Sequence, residues 1–488
     1  MTELKDQNIK YKSWLDTSTF DNCKLNRKDY GEFLCDYITG EKEGFVLNIN
    51  GHWGAGKTEF LKRMYSELIT RNYPTIYIDS WESDFTNDPL TVVSSELLTQ
   101  LEKCNRNANK KSDNVKRLFG KVIKGTVIGA AAMATKAAIG EASVGADLAK
   151  TLYESDNKDF MNQLKDDYSD KITAINDIRN ALSKLAVELQ HNDNTKLPIV
   201  VLIDELDRCR PTYAINMLEV IKHFFNTRYF VFVVTTDTTQ LCESIKAVYG
   251  NNFDSKTYLK RFFNRTAELA SPDIEYYLNS LELYNRYEEH EYLKTLDLFP
   301  NTSDTPEDII YYIANISAYY QLSIRDIDQL IAKIEACLRY AKKVFIEKEI
   351  TQSINIIVLI IAIIEHDKGF EAFYKRSKLL PAFELLESCK DHPFNFKNSK
   401  IKTYLIIKLS LESISQTIKN ESGYPTTYNF LNHEKIRTYT DNYRCSYLNN
   451  HIYNIEKTLQ KYFYPKQNQK FWRWDDYKKV VELAGNIT

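Results

Sequence analysis

The sequence predicts an α/β fold: a parallel sheet flanked by helices, a helical insertion between two of its strands, and an all-α C-terminal region. Three observations predict it. The first is Gly51-His52-Trp53-Gly54-Ala55-Gly56-Lys57-Thr58, which fits G-x-x-x-x-G-K-[ST] between an apolar run, 45–50, and a helical repeat, 59–70. The second is an apolar run from Leu197 to Ile203 that ends in Asp204-Glu205. The third is the loss of strand signals beyond about residue 272, where amphipathic helical repeats take over. Strand, glycine-rich loop and helix together are the context that a phosphate-wrapping loop needs.

Composition sets the frame. A chain of 488 residues exceeds one ordinary core. With 43% hydrophobic and 27% charged residues it reads as a soluble globular protein, and its net charge of −2 gives no global attraction to nucleic acid or membrane. Only 15 glycines and 11 prolines against 33 tyrosines and 24 phenylalanines favour long helices and an aromatic-rich core. The eight cysteines are scattered without a C-x-x-C pair, and the N-terminus is polar. That predicts neither zinc site nor disulfide framework, and a cytoplasmic protein, membrane-peripheral at most.

The loop's residue types follow from phosphate chemistry. Gly51, Gly54 and Gly56 allow close backbone approach, and the helix beginning near Lys57 aims unsatisfied N–H groups at an anion. The N–H cradle therefore runs through Gly54, Ala55, Gly56, Lys57 and Thr58, and Gly51, Trp53 and Glu59 complete the expected nucleotide-binding set. Lys57 is expected on the β- and γ-phosphates and Thr58 on Mg²⁺. Upstream, the helical patch Tyr30–Ile38 packs beside the first strand, and Arg27 or Tyr30 either borders the base or merely helps cover a sheet edge.

A second strand, Thr75–Asp79, precedes Ser80-Trp81-Glu82, and Asp88-Pro89 opens a helix. From Lys103 to Lys124 eight cations face the single acid Asp113, and a small-residue run, 125–135, follows. Lys124 and Lys136 bracket that run too tightly for a span of about 20 apolar residues. An insertion packed by its Ala/Gly face is preferred over membrane-surface or nucleic-acid binding. The helical hairpin after it carries Ile172, Ile175, Ile178, Leu182, Leu185 and Leu189 on one stripe.

Asp204 stands at the C-terminal end of a buried strand, the position for Mg²⁺, and Glu205 is placed to orient and deprotonate water, with Asp207 as the next candidate. A further strand, Tyr229–Val234, delivers Thr235, Thr236 and Asp237 toward the γ-phosphate or the water. The run Ile354–Ile364 is apolar all round and too short to cross a bilayer, so it is a buried core helix. Between Lys457 and Lys479, cations interleave with Tyr462, Phe463, Tyr464, Phe471, Trp472, Trp474 and Tyr477. Docking onto the domain or a partner is preferred there to stacking on single-stranded nucleic acid.

Trp53 to Thr58, Trp81, the string Ile203-Asp204-Glu205-Leu206-Asp207-Arg208-Cys209-Arg210-Pro211 and Tyr258-Leu259-Lys260-Arg261-Phe262-Phe263 together resemble the KAP family of P-loop NTPases across roughly 20–345. The resemblance implies a relation to AAA+ and STAND ATPases, and a five-stranded parallel sheet with the sensing strand between the loop strand and the Mg²⁺ strand. It implies that Arg208, or Lys260/Arg261, stabilises transition-state charge and that Arg325 is a second sensor. Many members insert transmembrane helices between the nucleotide motifs; here the insertion's apolar part falls short of a span. Bacterial members are linked to exclusion of phage or plasmids.

The expected layout is a core formed by 1–102 and 197–271, the insertion 103–196, a sensor or lid subdomain 272–345, and a helical domain 346–488. The expected function is a Mg²⁺-dependent ATPase driving a conformational or assembly switch, plausibly in antiviral defence, as a homo-oligomer or with a separate effector. The rivals are a nucleotide-gated scaffold with negligible turnover and a small-molecule kinase.

Overall fold

The computed structural model describes residues 4–86, 88–104, 117, 176–191, 195–224, 227–270, 272–283, 285, 295–300, 307–376, 393–396, 399–414 and 468–486. Contacts divide the chain into two compact units, Met1–Cys23 with Arg27–Ser271, and Lys24–Asn26 with Pro272–Thr488.

The first unit is built on five parallel strands: β1 (Phe45–Asn50), β2 (Thr75–Asp79), β3 (Ile199–Asp204), β4 (Phe230–Thr236) and β5 (Arg265–Glu268). Their order is β2-β3-β4-β1-β5, so β4 lies between the loop strand and the strand bearing Asp204. Every residue of β3 and β4 is buried, as near-continuous Val/Ile/Leu/Phe runs require when helices cover both faces. β5 closes one edge, short and exposed at Arg265 and Glu268, which discourages further strand pairing.

Alternation along the strands sorts two cores. Leu47, Ile49, Tyr77, Leu202 and Val233 face the helix Lys57–Thr70, which buries Phe60, Leu61, Met64 and Leu68. Val46, Ile78, Val201, Ile203 and Phe232 face the helices Pro89–Cys104, Pro211–Phe224 and Thr238–Tyr249. The helix over 176–191 joins that second core through Ile178, Leu182, Leu185 and Leu189. Ile172, Ile175 and most of the basic and Ala/Gly segment lie outside the described residues. The helix after β1 covers one face and the helix after β4 the other, so a crevice opens between these neighbours at their C-terminal ends.

The second unit is predominantly helical, with Glu307–Tyr319, Ile324–Lys348, Ile356–Asp367 and Trp474–Gly485 around one core. It is not all-α, which corrects the expectation for the C-terminal region. β6 (Leu296–Phe299), β7 (Thr351–Asn355) and a strand at Gln469–Phe471 form a parallel sheet, and β8 (Pro393–Phe396) pairs antiparallel with β9 (Ser399–Lys402). Taken in chain order, the Gln469–Phe471 strand is β10. Strands of 3 to 5 residues carry too little alternation to register in a sequence pattern.

β7 also divides the apolar run. Ile354 and Asn355 end the strand, and the Asn355 side chain caps the helix Ile356–Asp367 by accepting from the N–H groups of Ile357 and Val358. Ile356 to Glu365 are all buried. Phe471, Trp472, Trp474 and Tyr477 are buried in the same core, which removes them from any nucleic-acid surface; Tyr462, Phe463 and Tyr464 lie outside the described residues. Among the described residues no helix is long and apolar enough to cross a membrane, and Cys23, Cys35, Cys209, Cys242 and Cys337 are free thiols.

Glu365, at the end of the apolar helix, accepts two hydrogen bonds from Arg376, at 2.7 and 2.8 Å, with side chains 0% and 1% exposed. The Arg376 guanidinium also lies 4.2 Å from the Trp474 ring centroid. Removing one partner of a buried pair leaves a costly charge. Glu365→Ala is therefore expected to destabilise the protein by roughly 3–5 kcal/mol, read as a lower denaturant midpoint; a midpoint within error of wild type contradicts this.

Candidate functional site

The loop after β1 is held from three sides. Gly51 N–H donates to the Thr236 carbonyl of β4 at 3.0 Å. Gly54 and Gly56 both take φ +80°, the left-handed region, and Gly56 is the residue immediately before the helix Lys57–Thr70. A side chain at either position would be strained, which is why glycine stands there. Arg27, 6% exposed, donates to the carbonyls of Ala55 and Ala270, each at 2.6 Å. Burial lowers its pKa. Arg27 thus braces the loop from behind, and Tyr30 donates to the Glu268 carbonyl. The sequence points to this region without revealing that Arg27 ties loop to strand.

Lys57 opens the helix with a side chain only 10% exposed. Its ammonium donates to the Gly51 carbonyl at 2.8 Å and lies 3.5 Å from Asp207 Oδ2. The same Asp207 oxygen accepts the Trp53 indole N–H at 2.6 Å. The Trp53 backbone N–H donates to Asp237 Oδ2 at 3.3 Å, and Asp237 Oδ1 caps the helix Thr238–Tyr249 by accepting from Gln240. β4 therefore reaches the loop through Asp237, and the turn after β3 reaches it through Asp207.

The Thr58 hydroxyl donates to Glu205 Oε1 at 2.7 Å. Glu205 sits at φ +59°, an uncommon angle for a residue with a side chain, and its other oxygen pairs with Arg208. Burial pushes the Glu205 carboxyl above its usual range; Thr58 and Arg208 pull it down, Asp204 and Asp207 push it up. Asp204, fully buried, accepts from the Thr235 hydroxyl and the Glu205 N–H on Oδ1 and from the Tyr77 hydroxyl, at 2.9 Å, on Oδ2. Burial and Asp204 raise the Tyr77 phenol pKa. Thr58 is thus brought to Glu205, while Asp204 is wrapped by donors that include Tyr77 and Thr235. Tyr77 carried no sequence signal beyond its inward position on β2.

Of the remaining candidates, Arg208 joins this cluster through Glu205. Glu59 faces outward, bound to Lys62 and Arg63 at 2.9 and 2.8 Å. Arg208 lies over the exposed Trp81 ring, 5.9 Å from its centroid. Lys260 lines a cavity of about 440 Å³ with Asn50, Thr238, Lys256, Phe263 and Glu268, and Arg261 beside it is exposed. Arg325, also exposed, is the second residue of the helix Ile324–Lys348 in the second unit, whose N-cap Ser323 forms a capping box with Asp326.

A glycine-rich loop, its lysine and threonine, and an acidic strand end placed together across a parallel sheet define a P-loop nucleotide-binding domain. The family model of the KAP family P-loop domain matches residues 27–346, and the chain belongs to that family. A search of the curated proteins finds no match. Among solved structures the chain is similar to the Walker-type ATPase paby2304 of Pyrococcus abyssi, at 11% identity over 69% of this chain and 80% of that one. The TM-score is 0.29, too low to carry an argument.

Proposed function

We propose that this protein is a Mg²⁺-dependent ATPase in which binding and hydrolysis drive a conformational or assembly switch. The observation that supports this most is the meeting of Thr58 with Glu205, beside Lys57, at the C-terminal ends of β1 and β3. A carboxylate held next to the phosphate-binding lysine and threonine is where a water attacking a terminal phosphate needs a base.

The residues fit the metal. Thr58 and Asp204 offer hard oxygen donors, and Mg²⁺ takes one or two carboxylates together with substrate phosphates. Among the described residues no cluster of three His, Cys, Asp or Glu forms a self-sufficient metal cage, consistent with an ion that arrives with its nucleotide. Thr58 would hold it directly. Asp204, whose oxygens already accept three hydrogen bonds, would act through water. When bound, the ion neutralises phosphate charge.

The loop N–H groups and the start of the helix Lys57–Thr70 cradle the phosphates, and Lys57 orients the β- and γ-groups. Glu205 takes the proton of the attacking water as the bond from the γ-phosphorus to the bridging oxygen breaks. Arg208 is the cation that pairs with this base; Lys260 and Arg261 serve only if a conformational change or a second copy brings them in, and the family resemblance is what supports Arg325 as a sensor. Membership of the KAP family is what supports a role in phage or plasmid exclusion.

A second reading, a nucleotide-gated scaffold with negligible turnover, draws on one observation: Glu205 is already bound by Thr58 and Arg208. Light scattering separates the two. Glu205→Gln with Mg²⁺ and ATP is expected to accumulate the assembled state that wild type reaches and leaves. Identical, unchanging mass in both proteins contradicts an assembly switch, and, with no phosphate released by wild type, leaves the scaffold reading.

A further inference from the structure

Asp207 is an acid for which hydrolysis, as proposed above, has no use. Its side chain is 2% exposed, and Oδ1 is buried without a hydrogen-bond partner. A carboxylate so placed needs a cation, and Lys57 supplies it. The phosphate-binding ammonium is therefore turned onto Asp207 and onto the loop's own Gly51 carbonyl. The same Asp207 oxygen holds the indole N–H of Trp53, whose ring is otherwise 53% exposed within the loop.

We propose that Asp207 is a latch on the loop, one that nucleotide phosphates open by displacing its carboxylate from Lys57 and, with it, from Trp53. The inference rests on the nucleotide-binding reading and adds to it a competition: the incoming anion replaces an anion the protein already holds. Asp207 sits in the 3₁₀ turn Leu206–Arg208, directly after Glu205, and Arg208 of that turn pairs with Glu205. Opening the latch therefore moves the segment that sets the Glu205 carboxylate, so that phosphate arrival and alignment of the base are one event. The Trp at this position of the loop acquires a physical role: it supplies the neutral donor that keeps Asp207 aimed at Lys57.

The test uses the full chain and Mg²⁺–ADP, followed by calorimetry and by tryptophan emission. Asp207→Asn keeps an acceptor for Trp53 and removes the competing charge, so ADP is expected to bind about tenfold tighter than to wild type. Unchanged or weaker binding overturns the latch and makes Asp207 a support for Lys57 in the bound state. Emission of wild type is expected to change with ADP and not with adenosine, and Trp53→Phe is expected to abolish that change. This second measurement needs no Asp207 variant. If calorimetry records ADP binding while Trp53 emission stays constant, the latch is rejected and the nucleotide reading stands. If wild type shows no heat with ADP or ATP, both fall together.

Discussion

Replacing Lys57 by alanine is expected to abolish measurable nucleotide binding. The lysine begins the helix Lys57–Thr70, directly after Gly56 in its left-handed conformation, and its ammonium is confined to the mouth of the loop by Gly51 and Asp207. A phosphate chain lying in that loop meets the backbone N–H groups and this largely covered cation. Loss of a desolvated charge-assisted contact costs 2–5 kcal/mol or more, a fall in affinity on the order of a hundredfold or greater. Calorimetry with ATP or ADP checks it. Affinity within about threefold of wild type would mean that phosphates do not reach Lys57, and the site would have to lie elsewhere.

Glu205→Gln carries the second large effect, with the opposite signature. Gln keeps the side-chain length and still accepts from the Thr58 hydroxyl, so binding should stay within a few-fold of wild type. It cannot take a proton from water, so turnover should drop by about 10²–10⁴-fold. The split between preserved affinity and lost turnover is the diagnostic. Asp204→Asn would not give it, because Asp204 accepts hydrogen bonds from Thr235, Tyr77 and the Glu205 backbone, and loosening it disturbs the strand end itself. Near-normal turnover in Glu205→Gln contradicts the assignment of the base.

The sheet was legible because its strands are buried on both faces: Ile199–Asp204 and Phe230–Thr236 announce themselves as unbroken apolar runs, and the glycine-rich loop fixes which strand leads into it. The partners of the loop were not legible. The contact of Trp53 with Asp207 joins residues 154 positions apart, and Arg27 reaches Ala270 across 243. Such pairs follow from strand order, and no local pattern encodes them. Asp204 and Glu205 read as adjacent acids at a strand end; the turn after β3 sends them to different partners, one to Tyr77 and Thr235, the other to Thr58. In the C-terminal unit the long helices carry periodicity and were visible, whereas β6, β7 and β10 become strands only by pairing with one another.

Steady-state phosphate release by the purified chain tests most directly whether it turns over nucleotide. The account predicts sustained, multiple-turnover release with ATP that requires Mg²⁺, is absent in Lys57→Ala and is lost in Glu205→Gln. Release that stops at or below one phosphate per chain, or that persists unchanged in Glu205→Gln, contradicts it.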